Sequence, residues 1–209
     1  MAKVDMGRSR FKIQRRIGVE LPGLGKAGAL ERKPYGPGVH GMKRKKLSDF
    51  TIRLVEKQKV VFHYGVREKQ VINYVKKCKK DKSRAWVDSL IISLECRLDS
   101  IVFRANWTPS IPASRQMITH GHVMVNGKKV SSPSSAVKVG DVITMKDHSF
   151  KTNNFLQAKA RPRLSAVPAF LNVEQKGEKE EITVASFPLA EDVPFEFEKR
   201  LVTEYYWKI

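Results

Sequence analysis

Basic residues outnumber acidic ones almost two to one, and this imbalance constrains the chain more than any other feature. Lys and Arg total 40 against 21 Asp and Glu, which leaves a formal net charge of +19. A compact protein with this charge repels itself unless a polyanion neutralises it. The 209 residues are nevertheless 41% hydrophobic and 9% aromatic, enough to order most of the chain. We therefore expect a folded, polyanion-binding protein with basic arms.

The positive charge is unevenly distributed along the chain. Residues 1–96 carry a net charge of +15, residues 97–165 carry +8, and residues 166–209 carry −4. The first two segments are expected to contact the polyanion, whereas the acidic segment is expected to dock on the protein's own basic surface.

Membrane, secreted and metal-binding proteins have sequence signatures that are missing here. No window approaches the length of apolar sequence that spans a membrane, and the start, MAKVDMGRSRF, lacks the apolar stretch of a secretory signal. Cys78 and Cys96 are too few for a disulfide scaffold and lack the paired spacing of a zinc knuckle. We expect a soluble, intracellular protein with buried or incidental thiols, no metal site, no cofactor and no membrane partner.

Residues 1–47 combine basic residues with glycine and proline, most densely in RKPYGPGVHGMKRKK. They lack the periodicity of a helix or strand, so we predict an extended arm whose deletion leaves the rest folded. A basic run is ordinarily a solvated surface, but the interleaved Tyr35, His40 and glycines favour nucleic-acid contacts that become ordered on binding. The predicted contacts in the arm are Arg32, Lys33, Tyr35, His40, Lys43, Arg44, Lys45 and Lys46.

Three helices are predicted after the arm. Ser48 caps the first, whose apolar face carries Ile52, Val55 and Phe62, and Gly65 ends it. The second is amphipathic, with Val71, Tyr74, Val75 and Cys78 on one face and lysines on the remainder. The third runs from about Trp86 through Leu98 to Val102 and stops at Asn106.

A short helix and a hairpin follow. Ser114 to His120 forms the helix, which bears Arg115 and Gln116 and ends at Gly121. Two β-favourable runs then flank Asn126-Gly127, a pair that suits the positive φ angles of a type I′ turn. Lys128 and Lys129 lie on the return strand, and a turn at Val139-Gly140-Asp141 leads into the strand Val142–Met145.

The acidic C-terminal segment is predicted to form a helix. Asp192 is its cap, Pro194 lies in its first turn, and Phe197, Leu201 and Tyr205 recur every fourth residue. We expect this apolar stripe to pack back on the N-terminal helices, because its exposure would promote association. A strand is the alternative, since Phe195-Glu196-Phe197-Glu198 also alternates with period two.

The order of these parts resembles a known family. Arg97-Leu98-Asp99, the short basic helix, HGHVMVNGKKV and VGDVITM together resemble the alpha-L RNA-binding module of bacterial-type small-subunit ribosomal protein number four. The arm, LSDF…EKQKVVFHYGVREKQ and EDVPFEFEKRLVTEYY resemble the same family, so the likeness covers essentially the whole chain. Departures are Gly36 and Val39, which loosen the arm and remove an amide donor, and Ile111, which removes a basic contact. Residues 1–47 contain no cysteine, so the zinc site of some members is expected to be absent.

The resemblance implies an α+β fold: a basic arm (1–47), a helical domain (48–96) completed by residues 190–209, and an RNA-binding domain (97–189) with its alpha-L module at about 97–160. It implies a structural protein of the small subunit in the cytoplasm, an organellar ribosome remaining open. The implied partners are the 5′ domain of small-subunit rRNA, mRNA near its entry path, and ribosomal proteins numbers three and five. The implied roles are nucleating assembly of the subunit body and influencing decoding accuracy.

The module suits structured RNA, which a protein reads through phosphates and 2′-hydroxyls because the bases of an A-form duplex are hidden. Arginines are expected to fix the register and lysines to add affinity, although each alone is also consistent with a solubilising charge. His120 and His122 lie on either side of Gly121 in the sequence and could ligate a metal. Without an acidic or thiol partner nearby, we favour packing or RNA contact for both. The predicted contacts here are Arg97, Arg115, Gln116, His120, His122, Asn126, Lys128 and Lys129.

Two other functions are alternatives to this interpretation. Pseudouridine synthases carry the same module and hold a catalytic aspartate in an Arg-Leu-Asp motif, which Arg97-Leu98-Asp99 imitates. This motif lies inside a predicted helix, however, and the 44 residues after Ser165 are too few for a catalytic domain, so we expect no enzyme. A free RNA-binding stress or recycling factor is the second alternative. Co-sedimentation with the small subunit would distinguish it from a resident ribosomal protein.

Overall fold

The chain forms two compact units, both built in the computed structural model from short, locally specified elements. The structure describes residues 9–24, 28–43, 46–177 and 179–207. One unit comprises Met1–Leu90 with Pro194–Ile209, and the other comprises Ile91–Val193. Helices and an antiparallel sheet occur together, which confirms the predicted α+β class.

The regular elements are short. The helices are α1 (Arg10–Ile17), α2 (Ala29–Arg32), α3 (Asp49–Tyr64), α4 (Glu68–Lys80), α5 (Trp86–Glu95), α6 (Leu98–Arg104), α7 (Ile111–Thr119), α8 (Asn153–Ala160) and α9 (Lys199–Tyr205). The strands are β1 (Val123–Val125), β2 (Lys128–Lys129), β3 (Val142–Met145), β4 (Leu171–Lys176) and β5 (Lys179–Val184). Single 3₁₀ turns occupy Asp147–Lys151 and Ala190–Asp192.

The N-terminal region is more structured than predicted. Helix α1 ends at Gly18, whose φ of 78° gives the left-handed conformation that terminates many helices. Ile13, Ile17, Leu21 and Leu24 are buried. The prediction of an arm without helices was therefore wrong for this stretch. A short helix with a single apolar stripe is stable when other elements of the protein cover that stripe. Deleting residues 1–47 is now expected to destabilise the first unit.

Helix α3 has the predicted ends but a different buried face. The Ser48 hydroxyl accepts a hydrogen bond from the Thr51 N–H at 3.3 Å, and Gly65 ends the helix with φ of 57°. The predicted apolar face was wrong, since Ile52 is exposed. The buried residues are Glu56, Lys57, Lys59, Val60, His63 and Tyr64. Helix α4 agrees with its prediction in burying Val71, Val75 and Cys78.

The C-terminal segment packs against α3, as predicted, but its helix begins later. Helix α9 starts at Lys199 instead of near Asp192, and residues 195–198 form neither helix nor strand. Tertiary contacts explain the delay. The Glu198 N–H donates to Glu56 Oε2 at 2.9 Å, and Lys59 Nζ donates to the Glu196 carbonyl at 3.3 Å. Hydrogen bonds between α3 side chains and the backbone of Glu196 and Glu198 thus replace those of an earlier helical turn.

Polar contacts extend along α9. Arg53 Nε lies 2.7 Å from Glu204 Oε2, and Lys79 Nζ donates to the Tyr206 carbonyl at 2.8 Å. The Tyr206 hydroxyl donates to Glu68 Oε1 at 3.1 Å, and burial is the main cause that raises the pKa of this phenol. The acidic C-terminal segment is thus held by basic side chains of its own unit.

The predicted third helix is two helices, α5 and α6, and this break shapes the second unit. The N–H groups of Leu98 and Asp99 donate to the carbonyls of Ser135 and Pro133, at 2.9 and 3.1 Å. The Val137 N–H donates to the Cys96 carbonyl at 2.9 Å. Backbone groups used in this pairing are not available to a continuous helix, so apolar spacing alone gave a wrong prediction here.

The second unit is built on an antiparallel sheet with the strand order β2-β1-β3-β5-β4. Residues on alternate positions face the core, as Ile143 and Met145 do on β3 and Ile182 and Val184 on β5. Helices α6 and α7 cover this face with Ile101, Met117 and Ile118, and Trp107 of the connection between them is buried in the same core. The hairpin and strand β3 were predicted from sequence, whereas β4, β5 and α8 were not.

Replacing Val202 tests the position of the C-terminal helix. Val202 is 1% exposed and Leu201 is only half-buried, so Val202→Ala is expected to lower the free energy of unfolding by about 1.5–3 kcal/mol. Leu201→Ala, the matched control, is expected to lower it by less. Denaturant unfolding of the full chain measures both, and a larger loss for Leu201→Ala would contradict this packing.

Candidate nucleic-acid interface

Helix α7 and the β1–β2 hairpin form the framework of the predicted RNA-binding surface. Ser110 caps α7 by accepting a hydrogen bond from the Ala113 N–H at 3.3 Å. The helix therefore begins at Ile111, three residues before the predicted start at Ser114. Met117 and Ile118 anchor the inner face of α7 in the core. Gln116, one of the predicted contacts, is exposed on the other face.

The hairpin turn has the predicted type I′ conformation. Asn126 and Gly127 have φ angles of 49° and 73°. Asn126 Nδ2 donates to Asp141 Oδ1 at 2.8 Å, and its Oδ1 accepts from the Val142 N–H at 2.9 Å. The amide of Asn126 therefore holds the turn against the start of β3, while Lys128 and Lys129 are exposed on the return strand.

Asp99 lies at the centre of a buried charge cluster beneath this surface. Its carboxylate is inaccessible to solvent, and it accepts hydrogen bonds from Arg97 Nε at 3.0 Å and Arg97 Nη2 at 2.8 Å. Oδ2 also accepts from Arg115 Nε at 2.7 Å. One carboxylate therefore orients two guanidinium groups, and the cluster keeps a net positive charge.

The two arginines differ in accessibility, and this corrects one prediction. The Arg97 side chain is 6% accessible, whereas that of Arg115 is 28% accessible. Arg97 precedes α6 and pairs with Ala136, which places its side chain inside the unit. Direct RNA contact by Arg97 is therefore not supported, and its position assigns it to holding Asp99. Arg115 is the member of the cluster that reaches the surface.

Three histidines lie together beside the hairpin. The rings of His120 and His122 are 6.1 Å apart, and His122 Nδ1 lies 3.1 Å from His148 Nε2 and 3.0 Å from the Ser149 hydroxyl. Burial, followed by the nearby His148 and His120 and then Lys146 and Lys129, lowers the pKa of His122 below its ordinary value. His148 was not among the predicted residues, because 26 positions separate it from His122 in the chain.

Lys129 is packed closely against the helix end that precedes these histidines. A Cβ added to Gly121 would lie 2.0 Å from Lys129 Cε, and Gly121 has a φ of 74°. The left-handed backbone favours glycine here, and the missing Cβ leaves room for the Lys129 side chain. The end of the Lys129 side chain therefore lies against the backbone at Gly121, the residue between His120 and His122 in the chain.

The predicted contacts of the N-terminal region lie in the first unit. Arg32, Lys33, His40, Lys43 and Lys46 are exposed and Tyr35 is half-buried, whereas Arg44 and Lys45 lie outside the described residues.

Arg15 fixes the loop that carries these residues and was missed from the sequence. Its Nε donates to the Tyr35 carbonyl at 2.9 Å and its Nη2 to the Gly36 carbonyl at 3.0 Å. Its guanidinium also stacks 4.9 Å from the centre of the Tyr35 ring. The loop is tight, since a Cβ on Gly41 would lie 1.9 Å from the Gly36 carbonyl oxygen. No local pattern links residues 20 positions apart, so sequence reasoning had no signal for this contact.

Other chemistry finds little support in the part of the chain that the structure describes. Among those residues, no group of three or more His, Cys, Asp or Glu side chains is arranged to hold a metal ion. None of their helices is long and apolar enough to cross a membrane. Burial raises the pKa of Cys96 to about 11, so this thiol stays protonated and unreactive.

Comparison with known proteins agrees with this geometry. Residues 6–95 match the family model described as the ribosomal protein S4/S9 N-terminal domain, and residues 96–143 match the S4 domain. A small ribosomal subunit protein uS4B of Bdellovibrio bacteriovorus is 51% identical over 197 residues, covering 94% of each chain. A uS4 protein of Methylobacillus flagellatus is 43% identical over 199 residues, covering 94% of this chain and 95% of that protein. Since matches of this extent and identity span both units, the chain belongs to the ribosomal protein S4 family.

Proposed function

We propose that this protein is a structural, non-catalytic component of the small ribosomal subunit and binds small-subunit rRNA through its second unit. The observation that carries the proposal is the buried Asp99 carboxylate, which fixes Arg115 on α7, while Lys128 and Lys129 are exposed on the hairpin of the same unit. Rigid placement matters because only an oriented guanidinium can select one arrangement of phosphates.

The surface suits the backbone of folded RNA. Helix α7 presents Arg115 and Gln116, and the hairpin presents two ammonium groups. These groups donate hydrogen bonds to phosphates and 2′-hydroxyls, which are the accessible features of A-form RNA. The combination of one arginine held by Asp99 with two exposed lysines supports recognition of a junction's shape together with general affinity.

The loop of the first unit supplies a second set of contacts. Lys33, His40, Lys43 and Lys46 are exposed around the tight turn that Arg15 holds. We place these residues on rRNA as well, because the cations on this loop have no role in the core. Val39, at 95% exposed, makes no packing contribution within the described chain, which is consistent with a surface that a partner covers.

The family resemblance supports a more specific assignment. We infer that the RNA is the 5′ domain of small-subunit rRNA, that binding nucleates assembly of the subunit body, and that the protein adjoins ribosomal proteins numbers three and five near the mRNA entry path. Reconstitution tests this assignment: the purified chain should bind an isolated 5′-domain transcript and co-sediment with the small subunit. Selective binding to another rRNA domain, or absence from the subunit fraction, would reject it.

The salt dependence of binding tests the electrostatic basis. Each neutralised phosphate contributes a slope of about −0.7 to −0.9 to log K against log salt, so affinity for the transcript should fall steeply. Lys128→Ala should reduce the magnitude of the slope by about one. Lys176→Ala, which removes an exposed cation paired with Glu181, should leave it unchanged. Filter binding at several salt concentrations measures all three proteins, and equal slopes would contradict the assignment of Lys128.

Selectivity tests the role of Arg115. Arg115→Lys keeps the charge but removes the Nε–H that Asp99 orients, so the preference for the 5′-domain transcript over a plain RNA duplex should fall about tenfold. Lys128→Ala should weaken both ligands alike. Affinities for the two RNAs at one salt concentration decide the matter, with thermal unfolding as the check that both variants fold. An unchanged preference in Arg115→Lys would mean that Arg115 contributes only charge.

A further inference from the structure

The three-histidine cluster of the second unit has a composition that a plain cationic surface would not need. It is assembled from four places: His120 and His122 after α7, Lys129 on β2, Lys146 after β3, and His148 with Ser149 in the 3₁₀ turn. The Lys146 N–H donates to the His122 carbonyl at 3.0 Å. This hydrogen bond holds the chain after β3 beside His122. His120 and His148 are exposed and His122 is half-buried, so the cluster opens to solvent.

The charged groups around His122 all disfavour its protonation in the free protein. Lys129 and Lys146 are cations, and His120 and His148 become cations when protonated. The nearest acidic residue along the chain, Asp147, is paired with Lys179 at 2.9 Å. A proton added to the His122–His148 pair is therefore repelled by the neighbouring cations. No carboxylate is among the described groups that shift the pKa of His122.

We propose that this cluster is a phosphate-binding subsite in which RNA binding is coupled to the uptake of a proton by the His122–His148 pair. The inference rests on the proposed function, since the phosphate is that of the bound rRNA. A phosphate held by Lys129 and Lys146 supplies the negative charge that the cluster lacks. The proton comes from solvent and adds to the ring nitrogen that lies outside the 3.1 Å contact. One N–H then joins the two rings, and their outer N–H groups donate to the phosphate.

The sign of the coupling follows from the two protonation states. In the free protein the pKa of His122 lies below its ordinary value, and a bound phosphate raises it. The complex therefore holds more protons than the free components at neutral pH, so affinity rises as pH falls through the pKa of the complex. Uptake of one proton changes affinity by at most about tenfold per pH unit.

Binding of the full chain to the 5′-domain transcript, at fixed salt, tests the proposal. Between about pH 7.5 and about pH 6 we expect affinity to rise about three- to tenfold, which corresponds to uptake of up to about one proton. Calorimetry in buffers with different ionisation enthalpies counts that proton directly. An affinity and a binding heat that do not depend on pH or buffer would overturn the proposal.

Variants assign the proton to the cluster. His148→Gln removes an exposed ring that makes little contribution to packing, and it should abolish most of the pH dependence; His122→Gln should do the same. Lys128→Gln is the matched control, because it should lower affinity by the same factor at every pH. Retention of the full pH dependence in His148→Gln and His122→Gln would place the titrating group elsewhere and overturn the proposal.

The same experiment separates this inference from the function on which it rests. Selective binding of the transcript without pH dependence leaves the proposed function standing and rejects the proton-coupled subsite. Failure of the parent protein to prefer the transcript over a plain duplex at any pH rejects both. Proton-detected titration of the histidine rings gives a second readout, since the His122 pKa should rise on adding the transcript.

Discussion

The RNA-binding unit depends on the buried carboxylate of Asp99. This group joins the break between α5 and α6 to helix α7, because it binds Arg97 at the start of α6 and Arg115 on α7. The Asp99 N–H is itself held by the Pro133 carbonyl, so the loop after β2 is tied to the same point. A charge removed from water is tolerated only when it is paired and hydrogen-bonded, and here each carboxylate oxygen accepts at least two bonds.

The same rule divides the basic residues into two groups. Buried cations are paired within their own unit: Lys59 with Glu56, Arg104 with Glu95, and Arg97 with Asp99. Such pairs help specify the fold and add little to the external field. The large positive excess therefore resides on exposed side chains, and a highly basic protein can remain compact because its acidic residues are placed where burial requires them.

Local signals predicted local structure well, and contacts distant in sequence were the source of the errors. The cap at Ser48, the stop at Gly65 and the Asn126-Gly127 turn each depend on a few adjacent residues, and the structure has all three. The break at Arg97 depends on pairing with residues 133–137, and the late start of α9 depends on α3. At the candidate site the hairpin was predictable from sequence. The burial of Arg97 was not, because apolar periodicity does not reveal which backbone groups will form hydrogen bonds with another segment.

The acidic residues of the basic module show how its surface keeps one sign of charge. Residues 97–165 contain three, Asp99, Asp141 and Asp147. Asp99 holds two arginines, Asp141 holds Asn126 and the Lys138 N–H, and Asp147 pairs with Lys179. Each carboxylate thus stabilises the framework that carries the exposed cations of this unit. In the proposed subsite, His122 lies near Lys129 and Lys146, which lower its pKa, and a bound phosphate would supply the compensating charge.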